Sequence, residues 1–241
     1  MLWNCFECIE FEFEGYEARV VIPDKKLEKP SLIVKTEYWN AFPETEIKLL
    51  QEGFYLGYIK NSNRWGVDAD LDRKARFVEY VTQRFSLKSK CIPVGMSCGG
   101  LIAVKFAARY PQLVSCVYID APVINYMSCP CGFGIGERID DEEFSEILGA
   151  LGMSSISELI CYRDMPLDNI PELVKHKIPI VMVSGDSDTI VPYTENGIML
   201  EKAYKENKLD FELYIKPGCN HHPHGLKNPQ PIVDFIKKHS C

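Results

Sequence analysis

The chain has 241 residues, 46% of them hydrophobic, with a formal net charge of −7 and a pI near 5.4. This length carries one sizeable core within a single α/β domain, and an acidic balance with no basic run excludes a nucleic-acid partner. No window approaches 18 consecutive apolar residues, so neither a spanning helix nor a membrane partner is expected.

In chain order, residues 9–13 and 17–22 have strand character and are joined by Glu14-Gly15-Tyr16, which predicts a hairpin. Residues 31–35 carry Leu-Ile-Val without alternation, as a buried strand does. Residues 43–52 fit a short helix, with Pro43 tolerated in its first turn and Gly53 just past its end. Residues 54–59 read as a strand. Leu71, Ala75, Val78, Val81 and Phe85 recur at three- and four-residue steps, which predicts an amphipathic helix over 68–85. Asp68, Asp70, Asp72 and Glu79 mimic calcium-loop positions there. Arg73 stands where that loop needs glycine, so the acids simply favour the helix N-terminus.

Strands follow at 90–94 and 114–119, with a helical run from Leu101 between them. Two more, 178–183 and 211–215, are each followed by a helical pattern, at 194–207 and 231–239. Strands alternating with helices imply right-handed crossovers and a mostly parallel central sheet flanked by helices. Residues 122–171 break this rhythm, with weak helices near 141–148 and 155–161. A stretch of about 50 residues is too long for a plain connection, so it is expected to be a small lid or substrate-recognition insertion within one domain, 1–241.

The ten cysteines form no regular framework. Cys91 and Cys116 lie in apolar strand-like runs, and Cys129-Pro130-Cys131 has no second pair, so neither disulfides nor zinc are expected there. Residues 1–7 lack the basic segment and apolar stretch of a signal peptide. The expectation is a cytoplasmic protein with reduced thiols.

The chemistry centres on Gly95-Met96-Ser97-Cys98-Gly99, set between a strand and a helix. A G-x-S-x-G turn in that context lifts a serine hydroxyl above a sheet edge, with a helix N-terminus beneath it. Such a hydroxyl needs a base and an acid that orients the base, each expected just beyond a strand's C-terminus. After 178–183 come Asp186 and Asp188; Asp188 is the expected acid, and Asp186 is expected to brace the turn. After 211–215 comes Cys219-Asn220-His221-His222-Pro223-His224, where His221 is the expected base and His222 the runner-up. His221 and His224 also suggest a metal pair. Ligands at i and i+3 in a loop broken by proline, with no carboxylate or cysteine set beside them, predict no metal.

A tetrahedral oxyanion needs two backbone donors. The amide of Cys98 is one; the amide of Glu37 is favoured for the other, with Thr36 next. The Glu37 side chain reads equally as structural or substrate-facing. Tyr38, Trp39, Tyr126 and Phe133 are candidate pocket walls, with core or surface packing an equal alternative for each. The Cys98 side chain is expected to pack or line the pocket rather than react, because the turn exposes position 97.

The strings GMSCGG, YIDAPV, GDSDTIVPYTEN and KPGCNHHPHGL, with Ser97, Asp188 and His221 in that order, resemble the α/β-hydrolase superfamily over nearly the full length. More narrowly, the chain is similar to bacterial hydrolases of the esterase and prolyl-oligopeptidase-like branch. The resemblance implies a serine hydrolase of small esters, acetylated sugars among them, with no cofactor. Two positions depart from the pattern: Cys98 replaces an arginine, and Asn40 replaces a glycine. The expected activity is carboxylic ester hydrolysis through an acyl-enzyme. A peptidase or amidase, and a non-catalytic binding protein on the same fold, are the alternatives. The acyl group, the alcohol and the oligomeric state stay open.

Overall fold

Strand and helix patterns that alternate along the chain build one sheet in the computed structural model, which describes residues 1–138 and 140–240, and of Glu143 only the backbone. The described strands run in the order β1-β2-β3-β5-β4-β6-β7-β8-β9. β1 (Leu2–Trp3), β2 (Phe6–Phe13) and β3 (Tyr16–Ile22) form an antiparallel edge, and β3 pairs antiparallel with β5 (Tyr55–Ile59). From β5 the sheet is parallel through β4 (Leu32–Lys35), β6 (Cys91–Met96), β7 (Val117–Asp120), β8 (Ile180–Gly185) and β9 (Phe211–Lys216). The hairpin and the parallel strands lie where the sequence predicts them; β1, at two residues, is too short to show a pattern.

Successive strand side chains point to opposite faces, and both faces are covered. Leu32, Val34, Ile180 and Met182 face α2 (Asp68–Arg84), α3 (Cys98–Arg109), α6 (Pro166–Lys175) and α7 (Gly197–Glu206). Ile33, Ile92, Val181 and Val183 face α1 (Glu44–Gln51) and α8 (Gln230–His239). Burial on both sides explains why these strands read as unbroken apolar runs. Every residue of α3 but Arg109 is buried, so the helix under the Ser97 turn is locked into the core.

The 122–171 expectation needs adjusting at one end. Position 171 falls inside α6, whose Ile170 and Leu173 are buried in the main core. α6 is therefore a sheet-covering helix, and the excursion ends before it. α4 (Asp141–Ala150) and α5 (Ile156–Cys161) lie within the excursion. Its first part is fastened to the turn ahead of α7: Asn196 Oδ1 accepts from the amides of Ile124 and Asn125 at 3.0 Å each, and Glu195 accepts from Ser128 Oγ (2.6 Å) and the Ile135 amide (2.7 Å).

A buried ion pair supports the sheet end beside the site. Lys35 Nζ at the end of β4 meets Glu46 of α1, both nearly inaccessible to solvent, and also donates to the Ala41 carbonyl at 3.0 Å. Removing one partner strands the other charge in the core. Glu46→Ala is thus expected to lower unfolding stability by about 3–5 kcal/mol in urea titration. A loss under about 1 kcal/mol would mean that the Lys35 charge finds water or another partner.

Candidate active site

The C-terminal ends of β4, β6, β7, β8 and β9 all open on one edge of the sheet, the edge where ligands bind in open α/β folds. Ser97 sits where β6 passes into α3, with φ 53° and ψ −122°. A non-glycine residue keeps such a conformation only where its surroundings over-determine it. They do so here: its amide donates to the Asp120 carbonyl (2.9 Å) and its carbonyl accepts from the Val123 amide (3.2 Å).

His221 Nε2 stands 3.1 Å from Ser97 Oγ, and His221 Nδ1 stands 2.8 Å from Asp188 Oδ2. The Asp188 side chain is fully buried, and its other oxygen accepts from the amides of Ile190 (2.9 Å) and Val191 (2.8 Å). Those two bonds fix the carboxylate plane, which in turn fixes the imidazole. Gly185 lets the acid loop touch the histidine loop, because a Cβ there would lie 2.1 Å from the Cys219 carbonyl oxygen. Asp186 braces this junction by accepting from the Gly218 amide (2.7 Å) and the Ser187 hydroxyl (2.9 Å). In such a line an imidazole can take a serine proton while a carboxylate holds it in the required tautomer.

The Thr36 amide donates to the Val94 carbonyl at 3.0 Å and so belongs to the sheet. Glu37 then offers the first backbone amide beyond it, facing the first turn of α3 near Gly99. The Glu37 carboxylate accepts from Asn61 Nδ2 at 2.7 Å, and the same nitrogen donates to the Thr36 carbonyl (2.7 Å). This side chain ties the loop to Asn61.

Ser97, Cys98, His221, His222 and His224 border a cavity of about 320 Å³, at the small end of ligand pockets. Tyr38, Ala41, Phe42, Arg64, Trp65, Met96, Cys129 and Ile190 complete its wall. Tyr38 is thus one of the residues on this wall. Trp39 is not: it is buried on the α1/α8 side against Trp3 and Tyr58, with ring centroids 5.1 and 5.2 Å away. Tyr126 stands behind the wall, fully buried, edge-on to Trp65 and donating to its carbonyl at 3.3 Å. Phe133 is 60% exposed and borders a separate shallow recess beside Glu195. From the 122–171 segment, Cys129 reaches the cavity directly, and Glu146 of α4 pairs with Arg64 at 2.6 Å.

Arg64 brings a guanidinium to the pocket beside Cys98. Burial works against its charge, but the Glu146 pair, with Cys98 and Tyr38 beside it, holds its pKa above the ordinary value. Burial, reinforced by the neighbouring Cys98, pushes the Tyr38 hydroxyl up. His224 makes a second histidine–carboxylate pair, Nδ1 to Asp120 Oδ1 at 2.9 Å, and Asp120 Oδ2 accepts from the Gly225 amide at 2.5 Å. The sequence reading left both residues without a role, although Asp120 ends a parallel strand just as the Ser97 turn does.

The sequence profile of the prolyl oligopeptidase family (Peptidase_S9) matches residues 60–240. A protein of Aquifex aeolicus (strain VF5) named "Putative carboxymethylenebutenolidase" is 30% identical over 133 residues, covering 45% of this chain and 58% of that protein. Among solved structures, Pyrococcus horikoshii acylaminoacyl peptidase superposes with a TM-score of 0.75 at 16% identity, over 98% of this chain and 42% of that one. TT1662 from Thermus thermophilus superposes at 0.66 and 14% identity, over 97% of both chains. The two structural likenesses are of fold, the α/β-hydrolase fold, and this chain spans less than two thirds of the first two relatives. The profile match runs through the Ser97 turn, the acid loop and the histidine loop and covers most of the sequence: the chain belongs to the prolyl oligopeptidase family.

Proposed function

We propose that this protein is a serine hydrolase acting on small carboxylic esters, acetylated carbohydrates among the candidate substrates, in the cytoplasm. The observation that carries the reading is the hydrogen-bonded line Ser97–His221–Asp188 at the wall of a small cavity. Ser97 Oγ attacks the ester carbonyl while its proton passes to His221 Nε2. Asp188 stabilises the imidazolium. The amides of Cys98 and Glu37 hold the oxyanion. The imidazolium protonates the leaving alcohol, a water gives its proton to the same nitrogen, and hydrolysis of the acyl-enzyme regenerates Ser97. Tyr38 and Trp65 contact the substrate, and Cys129 with the Arg64–Glu146 pair makes the 122–165 excursion part of its recognition.

The relative's name and the cavity size favour an ester. Membership of a family named for a peptidase favours the second reading, in which the same residues cleave an amide. A fluorophosphonate probe, read by intact mass, tests the shared chemistry; a p-nitrophenyl ester and its matched anilide test the choice. One adduct per chain, with the ester turned over at least about a hundredfold faster than the anilide, is expected. Comparable rates would favour the amidase. Neither adduct nor turnover would leave a binding protein on a hydrolase fold.

A further inference from the structure

Two of the three histidines in the loop after β9 are anchored in the same way. His221 Nδ1 is held by Asp188 at 2.8 Å and His224 Nδ1 by Asp120 at 2.9 Å, and both carboxylates are buried. A carboxylate at Nδ1 keeps the proton there and directs the Nε2 lone pair outward. Metal-ligating histidines have this support. His221 Nε2 faces Ser97, whereas the proposed hydrolysis uses neither His222 nor His224.

The three imidazoles close on one another within the same cavity. Every pair of ring centroids is 4.9 Å apart, with planes at 64° to 85°. One nitrogen from each lies within 4.8 Å of the other two. Phe42 stacks on His222 and meets His224 edge-on, at 5.7 and 5.3 Å, holding both rings at the cavity wall. A zinc ion takes imidazole nitrogens at about 2.0–2.1 Å in a tetrahedral set. The rings would have to close by roughly 1 Å, and His222, being exposed, has the freedom to do so.

We propose that His221, His222 and His224 form an inhibitory site for a borderline divalent transition cation such as Zn²⁺, bound through three imidazole nitrogens with water in the fourth position. A dative bond from His221 Nε2 to the ion replaces the hydrogen bond from Ser97. The serine proton stays on Oγ, and no electron moves. The Nδ1 protons of His221 and His224 stay hydrogen-bonded to Asp188 and Asp120. Metal binding is independent of the serine-hydrolase reading; the inhibition rests on it. The i, i+1, i+3 spacing around Pro223 looks unsuitable on paper, because only the folded loop turns three rings to one point.

The full chain, stripped of metal, is titrated with Zn²⁺ against a chromogenic chelator and with Co²⁺ by visible absorption. One equivalent is expected, with cobalt bands free of thiolate charge transfer, and p-nitrophenyl acetate hydrolysis falling with zinc occupancy and returning with EDTA. His222→Ala should weaken both binding and inhibition by about tenfold or more, each variant being compared with its own zinc-free rate. The exposed His222 makes this variant safe for folding; His224→Gln is the buried counterpart. Cys219→Ser should keep the site. Zinc binding that survives His222→Ala, or disappears in Cys219→Ser, would overturn the proposal, as would an active enzyme indifferent to zinc. Histidine-dependent cobalt binding by a protein inert to esters and fluorophosphonate would uphold the site and overturn the hydrolase reading.

Discussion

Ser97→Ala is expected to lower kcat on a p-nitrophenyl ester by about 10⁴-fold or more and to abolish the fluorophosphonate adduct. The loss should fall on kcat with little change in KM, because the cavity wall is untouched. Alanine meets the same strained φ as serine at this position, so the thermal midpoint should hardly move. His221→Ala is expected to act almost as severely. The double variant should be no worse than either single one, because a nucleophile without its base and a base without its nucleophile fail in the same way. Asp188→Asn should also lose several orders of magnitude: the amide that replaces one carboxylate oxygen either repels the His221 Nδ1 proton or gives up the Ile190 and Val191 amides. Asp186→Asn, whose carboxylate braces a turn, should stay within a few-fold of wild type. Additive losses in the double variant, or an Asp186 effect as large as that of Asp188, would overturn the assigned roles.

The parts of the site that sit at strand ends were legible from sequence. Ser97, Asp188 and His221 each follow an apolar run that could be identified as a strand, and the topology of a parallel sheet brings such ends together. The pocket walls follow no such rule. Tyr38 and Trp39 are adjacent, yet the φ of 53° at Tyr38 turns the chain so that one ring faces the cavity and the other crosses to the α1/α8 core. Phe42, Arg64 and Trp65 come from irregular loops, where no periodicity shows which way a side chain points. No helix is expected from sequence over α6, which holds Pro166 and Pro171. Pro166 occupies the first turn, where its missing N–H costs nothing, and Pro171 forgoes one hydrogen bond in a helix held by the burial of Ile170 and Leu173. Asp120 and His224 looked idle because a buried pair is invisible until the chain that joins them is folded.

Gly95→Ala carries the second large expected effect, and it acts on the framework rather than the reacting atoms. A Cβ at position 95 would lie 2.1 Å from the Gly99 carbonyl oxygen and 2.4 Å from Thr36 Oγ1. Neither neighbour can yield cheaply. The carbonyl belongs to the buried first turn of α3, and the hydroxyl donates to that same carbonyl at 2.6 Å. Either β6 or the start of α3 must therefore move, and both carry Ser97. We expect a stability loss of about 3 kcal/mol or more, the upper range for overpacking, in chemical denaturation. In the folded fraction, kcat should fall by about a hundredfold, since a displacement near 1 Å between Ser97 and His221 is enough for that. Thr36→Ala removes only one of the two collisions, so it should not rescue the variant. Gly149→Ala is the control for adding a methyl group: apart from its chain neighbours and its own helix backbone nothing lies within 4 Å of its Cβ position, and in helix α4 the change should be neutral or stabilising by up to about 1 kcal/mol. A Gly95→Ala protein with wild-type stability and turnover would show that the Ser97 turn has room to relax, and that its strained geometry is not what aims the hydroxyl at His221.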